Sequence, residues 1–531
     1  MNSLTALPRQ AQILTPPQST YSLASNATNI AGVPTIPSTS VTLGETTTVN
    51  DSETYSRLGM LSGQVRYAWE VDSQDKLTTS LQTAFEASRT SGRFKGIGSA
   101  LIEQFAQNGG KNVSQSVFAF NGQSPLDPAE LKLQQQYLRE NPDNQVTFSL
   151  TTSSGATIRL LLASGEKGLA VSAEVEGGTL SAEELKAVGN LADSFQSSID
   201  GLHEAPPQLK LGALVKLDPK MFTSLQMTAK LETPTGGQVF ALTLNGKERS
   251  VSLAGPSGQV QLGLDTRNVE LLGNSSQRKT AIDNYLAQFD AAQNRGRGEK
   301  NLMGLLKDAF TQLNSVDDNR QQPAQHLSSL NDKDRALLSG LADFKASISE
   351  SATRSNPMRQ DEVDSFTFQT SQTTTIKGSA LRDLSVEQTQ ASKLNASFHR
   401  SLNPMTELAL SNDRKSQNYT YHLIEDQASS TTRLAYDEGL LVEASASQQA
   451  SQKERILSYM NGDLKSDVTT PKSVTQSRNV LNLLEDAFKQ DRTSQQNLGV
   501  SLLEDLLQSQ RSKWVLQADP SKIIGDPMII S

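Results

Sequence analysis

Hydrophobic positions repeat with two different periods along this chain, and the change of period separates predicted strands from predicted helices. Residues 144–175 include the segments VTFSL and TIRLLL, in which polar and apolar side chains largely alternate. Gly-containing segments at residues 153–155 and 165–168 supply turns between them. Period-two runs separated by short polar turns are typical of neighbouring antiparallel strands. The pattern therefore predicts an antiparallel β-meander.

A helix is predicted directly after this meander, at residues 179–202. Ser181 is placed as its N-cap, and Glu184, three residues later, completes a capping box. The same order of elements recurs from residue 237, with an Asn-Gly hairpin turn at residues 245–246 and a helix at about residues 275–294. We infer two copies of a meander-plus-helix unit, each burying one face of its strands under its own helix.

Helical periodicity dominates three further regions, and a short motif is repeated among them. NLMGLLKDAF at residues 301–310 and NVLNLLEDAF at residues 479–488 share six of ten positions, and KLTTSLQTAF at residues 76–85 is a weaker relative. A second amphipathic run follows the first motif through Leu337, Leu338, Leu341 and Phe344. Residues 359–470 return to period-two alternation, and a final helical region is predicted from about Val474 to Gln510.

These patterns together predict a multidomain α+β fold in which helical hairpins flank the duplicated meander units. The predicted divisions are a disordered leader at 1–52, a helical hairpin region at 53–140, the first α+β copy at 141–235, the second copy at 236–296, a helical hairpin at 297–358, a β-rich domain at 359–470, and C-terminal helices with an apolar tail at 471–531.

The predicted leader differs from the rest of the chain in its charge. Residues 1–50 contain only two charged side chains, Arg9 and Glu45, among many Ser, Thr, Asn and Pro residues. Such a composition cannot bury enough apolar surface to offset chain entropy, so we expect disorder. Two interpretations stay open: a simple flexible terminus, or an uncleaved export signal of the unfolded, Ser/Thr-rich kind.

Composition limits the classes of partner. The 531 residues carry a net charge of -8 without a basic cluster, so nucleic acid is an unexpected partner. The chain has no cysteine, which excludes disulfides, thiolate metal sites and cysteine nucleophiles. No apolar run reaches the roughly 18 residues of a membrane span. A protein partner of unknown identity fits this balance best, and the sequence leaves the oligomeric state open.

Recognisable catalytic motifs are missing from the sequence. The four histidines, at positions 203, 326, 399 and 422, have no metal-ligand spacing, and we expect each on the surface or in a loop. The glycine pairs at residues 96–98 and 296–298 lack the third small residue and the preceding strand of a dinucleotide fingerprint. The sequence therefore predicts no catalytic, cofactor-binding or metal site.

One apolar helix face is a candidate for partner binding. It would present an amphipathic groove or helix to another protein, or it would pack within the chain itself. Both alternatives stay open for this face, whose residues are Leu483, Leu484, Phe488, Leu502, Leu503, Leu506 and Leu507.

Several longer segments carry a family resemblance. Residues 87–105, 177–202, 364–378 and 416–439, the first reading ASRTSGRFKGIGSALIEQF, resemble a pseudomonad protein family over nearly the whole chain after residue 50. Those segments imply no known chemistry. Some family members carry a lactate dehydrogenase label, which the residues of this chain do not support because the dinucleotide fingerprint is missing.

The functional hypothesis from sequence is a non-catalytic bacterial interaction protein, exported without a cleaved signal peptide or associated with the envelope. The low charge of residues 1–50, the absence of cysteine and the richness in Ser, Thr and Gln motivate it. A cytoplasmic structural or scaffold protein is the first alternative, and a cryptic enzyme is the second.

Overall fold

The structure is a computed structural model that describes residues 66–71, 73–85, 90–120, 127–268, 271–315, 330, 335–378, 382–499 and 502–523. The predicted leader at 1–52, His326 and the tail after residue 523 lie outside the described residues, so the predictions made for them stay predictions. All described elements belong to one compact unit that spans residues 56–531.

Strands hold more residues of the described chain than helices do. They are β1 (Arg66–Trp69), β2 (Val113–Phe120), β3 (Asn144–Thr152), β4 (Thr157–Ser164), β5 (Gly168–Glu176), β6 (Phe222–Thr233), β7 (Gly236–Asn245), β8 (Glu248–Gly255), β9 (Gly258–Asp265), β10 (Asp343–Glu350), β11 (Ser365–Lys377), β12 (Ser385–Ser401), β13 (Tyr419–Asp437), β14 (Leu440–Met460) and β15 (Asp463–Asn479). They form a single 15-stranded sheet in the order β1-β2-β5-β4-β3-β6, followed by β7 to β15 in sequence order. Every described pairing is antiparallel.

The helices connect strands and cover the sheet. They are α1 (Lys76–Phe85), α2 (Ile97–Gln107), α3 (Pro128–Glu140), α4 (Ala182–Gly189), α5 (Ala192–His203), α6 (Ser275–Gly296), α7 (Lys300–Asn314), α8 (Leu481–Leu498), α9 (Leu503–Gln510) and α10 (Pro520–Ile523). No helix of the described residues is long and apolar enough to cross a membrane. Helices together with one large antiparallel sheet make the fold α+β, as the sequence predicts.

Alternation along the strands gives the sheet two different faces. In β3, Val146, Phe148 and Leu150 are buried, and the Phe148 ring lies 4.8 Å from the Phe195 ring of α5. The intervening side chains, such as Thr147, point to the opposite face, where Thr147 hydrogen-bonds Thr228 of β6. We call the first face, which packs against α5 and most other helices, the helix-covered face, and the second the open face. A two-faced antiparallel sheet needs this alternation.

Near β1 to β5, helix α3 covers part of the open face. There α3 packs Leu138 against Phe118 of β2 and Ala170 of β5, forming a small separate core. The main core lies under the other face and includes residues of α1, α2, α5, α6 and α7. A second apolar cluster, here called the C-terminal core, joins α8 and α9 to β12, β13 and β14.

Both meander-plus-helix patterns are present, although all their strands share one sheet. The first consists of β3, β4 and β5 followed by α4 and α5, and the second consists of β7, β8 and β9 followed by α6. The predicted capping box is confirmed, because Ser181 accepts from the Glu184 backbone and Glu184 accepts from the Ser181 backbone. The predicted helix is interrupted near Asn190, so α4 and α5 are separate.

The helical hairpin predicted at residues 53–140 is present as α1 and α2, and two strands and α3 accompany it. The hairpin predicted at residues 297–358 is wrong in its second half. Its first helix is α7, but Asp343–Glu350 forms β10. Phe344, Ala346 and Ile348 alternate with period two, and β10 completes backbone ladders with both β9 and β11. Long-range pairing of this kind overrides a short helical pattern.

The long strands at the C-terminal end extend past their predicted limit. Residues 359–470 contain β11 to β14, in keeping with the β-rich prediction. The predicted helix from Val474 begins too early, since β15 continues to Asn479 and α8 starts at Leu481. The alternation in this segment is carried by half-exposed residues of an edge strand, so its apolar signal is weak.

Glutamine, serine and threonine side chains on the helix-covered face hold an irregular segment, ending in α10, that we call the C-terminal strap, residues 511–523. The Gln448 Nε2 donates to the Ser512 and Val515 carbonyl oxygens at 2.9 and 2.5 Å. The Gln390 Oε1 accepts from the Leu516 backbone N–H at 2.8 Å. Side-chain amides therefore replace the ladder bonds that the strap itself lacks, which satisfies its buried backbone.

Candidate functional site

A concave trough lies on the open face where β7 to β12 run side by side. Its volume is about 760 Å³. The residues whose side chains point into it are small or polar, apart from two lysines: Ala241, Thr243, Ser250, Ser252, Gln261, Gly263, Lys345, Ser347, Gln369, Ser371, Ala391 and Lys393. We refer to this surface as the trough.

Strand register explains how distant parts of the sequence meet there. Lys345 of β10 lies between Gly263 of β9 and Ser371 of β11. Lys393 of β12 lies beside Gln369 of β11. Since successive residues alternate between faces, the apolar neighbours of these residues point to the core instead. The trough is thus built from every second residue of six strands.

The described lining of the trough carries two positive charges. Lys345 and Lys393 are exposed, and within the described part of the chain neither forms an ion pair. Its described lining contains no Asp or Glu. Charged residues of both signs normally mix on solvated surfaces. A trough with two ammonium groups and no carboxylate favours an anionic ligand.

The polar side chains of the trough also have unused hydrogen-bonding capacity. Among the described residues, no side-chain hydrogen bond involves Ser250, Ser252, Gln261, Ser347 or Gln369. On the helix-covered face, side chains of the same types form hydrogen bonds within the chain. Gln372, for example, donates to the Leu341 carbonyl oxygen at 3.0 Å. The two faces therefore differ in how many of their polar groups are satisfied.

A buried ion cluster lies further along the same face of β12, where residues 351–364 cross the ends of β12, β13 and β14. His399 donates from Nδ1 toward Asp364 Oδ1 at 2.6 Å and from Nε2 toward Glu362 Oε2 at 3.0 Å. Tyr419 donates its hydroxyl to the same Glu362 oxygen at 2.6 Å. Asn356 donates to the Tyr419 oxygen at 2.9 Å. We call these groups the His399 cluster.

The contacts of the cluster decide its ionisation. Burial alone would lower the pKa of His399, but the hydrogen bonds to Asp364 and Glu362 outweigh burial and raise the pKa to about 9. Burial likewise opposes ionisation of Glu362, yet the hydrogen bonds from His399 and Tyr419 keep the pKa of its carboxyl below the ordinary value. His399 is thus an imidazolium at neutral pH, held between the Asp364 and Glu362 side chains.

The His399 cluster attaches residues 351–364 to the sheet, and its buried groups are closed to substrates. The His399 side chain is 1% exposed and that of Glu362 is 6% exposed. The Tyr421 hydroxyl donates to the Val363 carbonyl oxygen at 2.9 Å and accepts from the Val363 backbone N–H. A general acid or base must reach a substrate proton within hydrogen-bond distance, which this ring cannot do in this conformation.

A second histidine lies on the opposite face of the same strand pair. His422 of β13 bonds Glu454 at 2.9 Å through Nδ1 and stacks on Phe398 with 4.8 Å between ring centroids. Arg295, near the end of α6, pairs with Asp426 and approaches Glu454. These contacts connect α6 to the sheet through charged hydrogen bonds.

The expectation of surface or loop histidines is therefore wrong for His399 and His422, which are each 8% exposed within strands. Their carboxylate partners lie far away in sequence or across a strand pair, so spacing could not indicate them. His203 ends α5, and its Nδ1 lies 2.9 Å from the Ile199 carbonyl oxygen.

Most of the predicted partner-helix face packs within the chain. Leu484 and Leu507 are buried in the C-terminal core, and Leu483, Phe488 and Leu506 pack against its edge. Leu502 is 37% exposed. Leu503 begins α9, and its side chain lies outside the described set.

The second glycine of each glycine pair serves close packing. A Cβ on Gly98 would lie 3.0 Å from the Phe195 ring, and one on Gly298 would lie 2.9 Å from the Phe366 ring. Both glycines therefore lie where an aromatic ring approaches the backbone. No group of three or more His, Asp or Glu residues in the described segments is arranged to hold a metal ion.

Comparison with protein-family models, curated proteins and solved structures found no match to this chain. The trough itself was missed from sequence, although a signal exists: the open-face residues that line it are all Ser, Thr, Gln, Ala or Gly apart from Lys345 and Lys393. Without the strand order, that signal cannot be distinguished from an ordinary solvated sheet face.

Proposed function

We propose that this chain is a non-catalytic bacterial interaction protein that binds another protein in the trough of its open face. One observation carries the proposal: a concave surface of about 760 Å³ presents two lysines and polar side chains that bond no other described residue. The trough lies on six neighbouring strands of the 15-stranded sheet. Binding sites are characteristically concave and largely formed before the ligand arrives.

The chemistry of the ionisable groups supports binding over catalysis. The charged groups of the His399 cluster and of the Arg295–Asp426 pair form ion pairs within the fold. Catalytic groups need perturbed ionisation together with access to a cleft. The trough is accessible to solvent, but the titratable groups of its described lining are the two exposed lysines.

Photocrosslinking in the native host tests this proposal. A photoreactive benzoylphenylalanine is placed at Gln369, which lines the trough, or at Gln226, an exposed glutamine on the open face of β6 outside it. We expect a discrete crosslinked protein from position 369 and none from position 226. Equal labelling from both positions, or no adduct from position 369, would overturn the proposal.

A further inference from the structure

We infer that the trough takes an extended, acidic peptide segment of the partner protein. This inference deepens the proposed function and rests on it. It follows from three features: the way in which sheet side chains already bond the backbone of the C-terminal strap, the side-chain groups of the trough that bond no other described residue, and the sign of the charge on the described lining.

The C-terminal strap shows what the sheet's polar side chains can do. Ser430 Oγ donates to the Trp514 carbonyl oxygen at 2.7 Å, and Gln452 Nε2 donates to the Ala518 carbonyl oxygen at 3.2 Å. Together with Gln390 and Gln448, these side chains bond backbone groups along the strap. Recognition of backbone groups depends little on the sequence of the segment that is held.

The trough presents the same chemistry on solvent-facing side chains. Gln261, Ser347 and Gln369 stand on neighbouring strands with free amide and hydroxyl groups among the described residues. Amides and hydroxyls both donate and accept, so they can bond either side of a peptide backbone. The trough therefore repeats on the open face the set of groups that holds the strap on the other face.

Its dimensions suit a short segment. Six neighbouring strands, β7 to β12, form the trough. At roughly 4.8 Å per strand the distance from the first to the last is about 24 Å, which accommodates about seven residues at roughly 3.3 Å per extended residue. A partner loop or terminus of that length would cross the strands and reach both lysines.

Charge selects the kind of segment. Lys345 and Lys393 face the trough without a carboxylate in its described lining. Opposite charges on a partner would steer association, whereas a basic segment would be repelled. The inference therefore specifies Asp- or Glu-containing segments.

Other occupants fit the lining less well. The described lining of the trough includes no aromatic side chain, so it offers no stacking surface of the kind used for sugars and unpaired bases. Two lysines neutralise few phosphates, whereas nucleic-acid binding draws on many such contacts. The hydroxyl and amide groups of the lining would lose their water against an acyl chain without replacement hydrogen bonds.

Fluorescence anisotropy with the full-length chain tests the inference. The probe is a fluorescein-labelled peptide, Thr-Glu-Thr-Glu-Thr-Glu-Thr, and the control peptide carries Lys in place of each Glu. We expect saturable binding of the acidic probe, weakening with added salt, and no saturable binding of the basic one. Dextran sulfate and inorganic phosphate serve as competing anions.

Three variants locate the binding. Lys345→Glu combined with Lys393→Glu should weaken probe binding on the order of tenfold or more, because attraction becomes repulsion. Lys230→Glu makes the same kind of charge change on the open face of β6, outside the trough, and should change affinity by less than about twofold. Gly263→Phe should block the trough sterically.

The last substitution is compatible with folding because a Cβ on Gly263 would lie 4.0 Å from the nearest neighbour, Ser250 Cβ. Unchanged circular dichroism and melting temperature would verify that each variant is folded. Probe binding that survives both trough variants would overturn the inference. Tight binding of dextran sulfate without peptide binding would also overturn it, and would assign the trough to an anionic polysaccharide.

The two proposals fail in distinguishable ways. Persistent photocrosslinks from position 369 without binding of the acidic peptide would overturn the inference about the segment and leave the proposed function standing. Absence of both signals would overturn both.

Discussion

Phe310→Ala removes a ring from the most aromatic part of the core. Phe310 is fully buried, and its ring centroid lies 5.4 Å from that of Tyr285, 5.3 Å from that of Phe289 and 5.0 Å from that of Phe344. It belongs to α7, which packs against α6 on one side and against β9 and β10 on the other. The surroundings therefore cannot collapse easily onto the space that the ring leaves.

The expected loss in the free energy of unfolding follows from these contacts. Truncation of a buried Phe costs about 3–5 kcal/mol, and each lost aromatic pair adds about 0.5–1.5 kcal/mol beyond buried area. We expect the upper half of the first range, about 4–5 kcal/mol. Phe488, the equivalent residue of the repeated motif, is half-buried at the edge of the C-terminal core. Phe488→Ala should cost less, about 1–2 kcal/mol.

Urea unfolding of both variants measures this difference. Far-UV circular dichroism follows the sheet, and fluorescence follows Trp69 in β1 and Trp514 in the C-terminal core. Coincident transitions permit a two-state free energy of unfolding. A loss below about 1 kcal/mol for Phe310→Ala, or an equal loss for both variants, would refute the described packing.

Two other predictions concern contacts that hold irregular segments on the sheet. The pKa of His399 is raised to about 9 in the folded chain, so its ion pairs stabilise the fold by at most about 3 kcal/mol at pH values below the unfolded pKa of about 6.5. This stabilisation is lost as pH rises through about 9. His399→Gln should remove that pH dependence from the urea midpoint, and an unchanged pH profile would contradict the cluster. Gln448→Ala leaves two strap carbonyl oxygens without a donor, so it should lower the free energy of unfolding by about 1–3 kcal/mol and speed tryptic cleavage after Lys513. The control Gln449→Ala, on the exposed opposite face of the same strand, should do neither. Equal cleavage rates in the two variants would contradict the role of the Gln448 amide.

Local features of the fold could be predicted from the sequence because neighbouring residues decide them. The two meanders depend on short turns and period-two alternation, and the Ser181 capping box depends on residues three positions apart. The repeated motif also forms helices at its three positions, α1, α7 and α8. These elements needed no information about distant partners.

Features decided by distant pairing could not be predicted. Phe344 fits a helical pattern with the leucines before it, yet β9 and β11 pair with its strand from both sides. Glu362 and Asp364 become partners of His399 only because residues 351–364 fold back over β12. The trough needs six strands in the correct register before its polar positions coincide. Each of these depends on strand order, which periodicity does not encode.

The most direct test of the central claim is photocrosslinking from position 369 in the native host, performed in the parent chain and again with Gly263→Phe. If the trough is the binding surface, the parent gives one discrete protein adduct and Gly263→Phe abolishes it while folding is unchanged. An adduct that persists with Gly263→Phe would place the partner elsewhere and contradict the account.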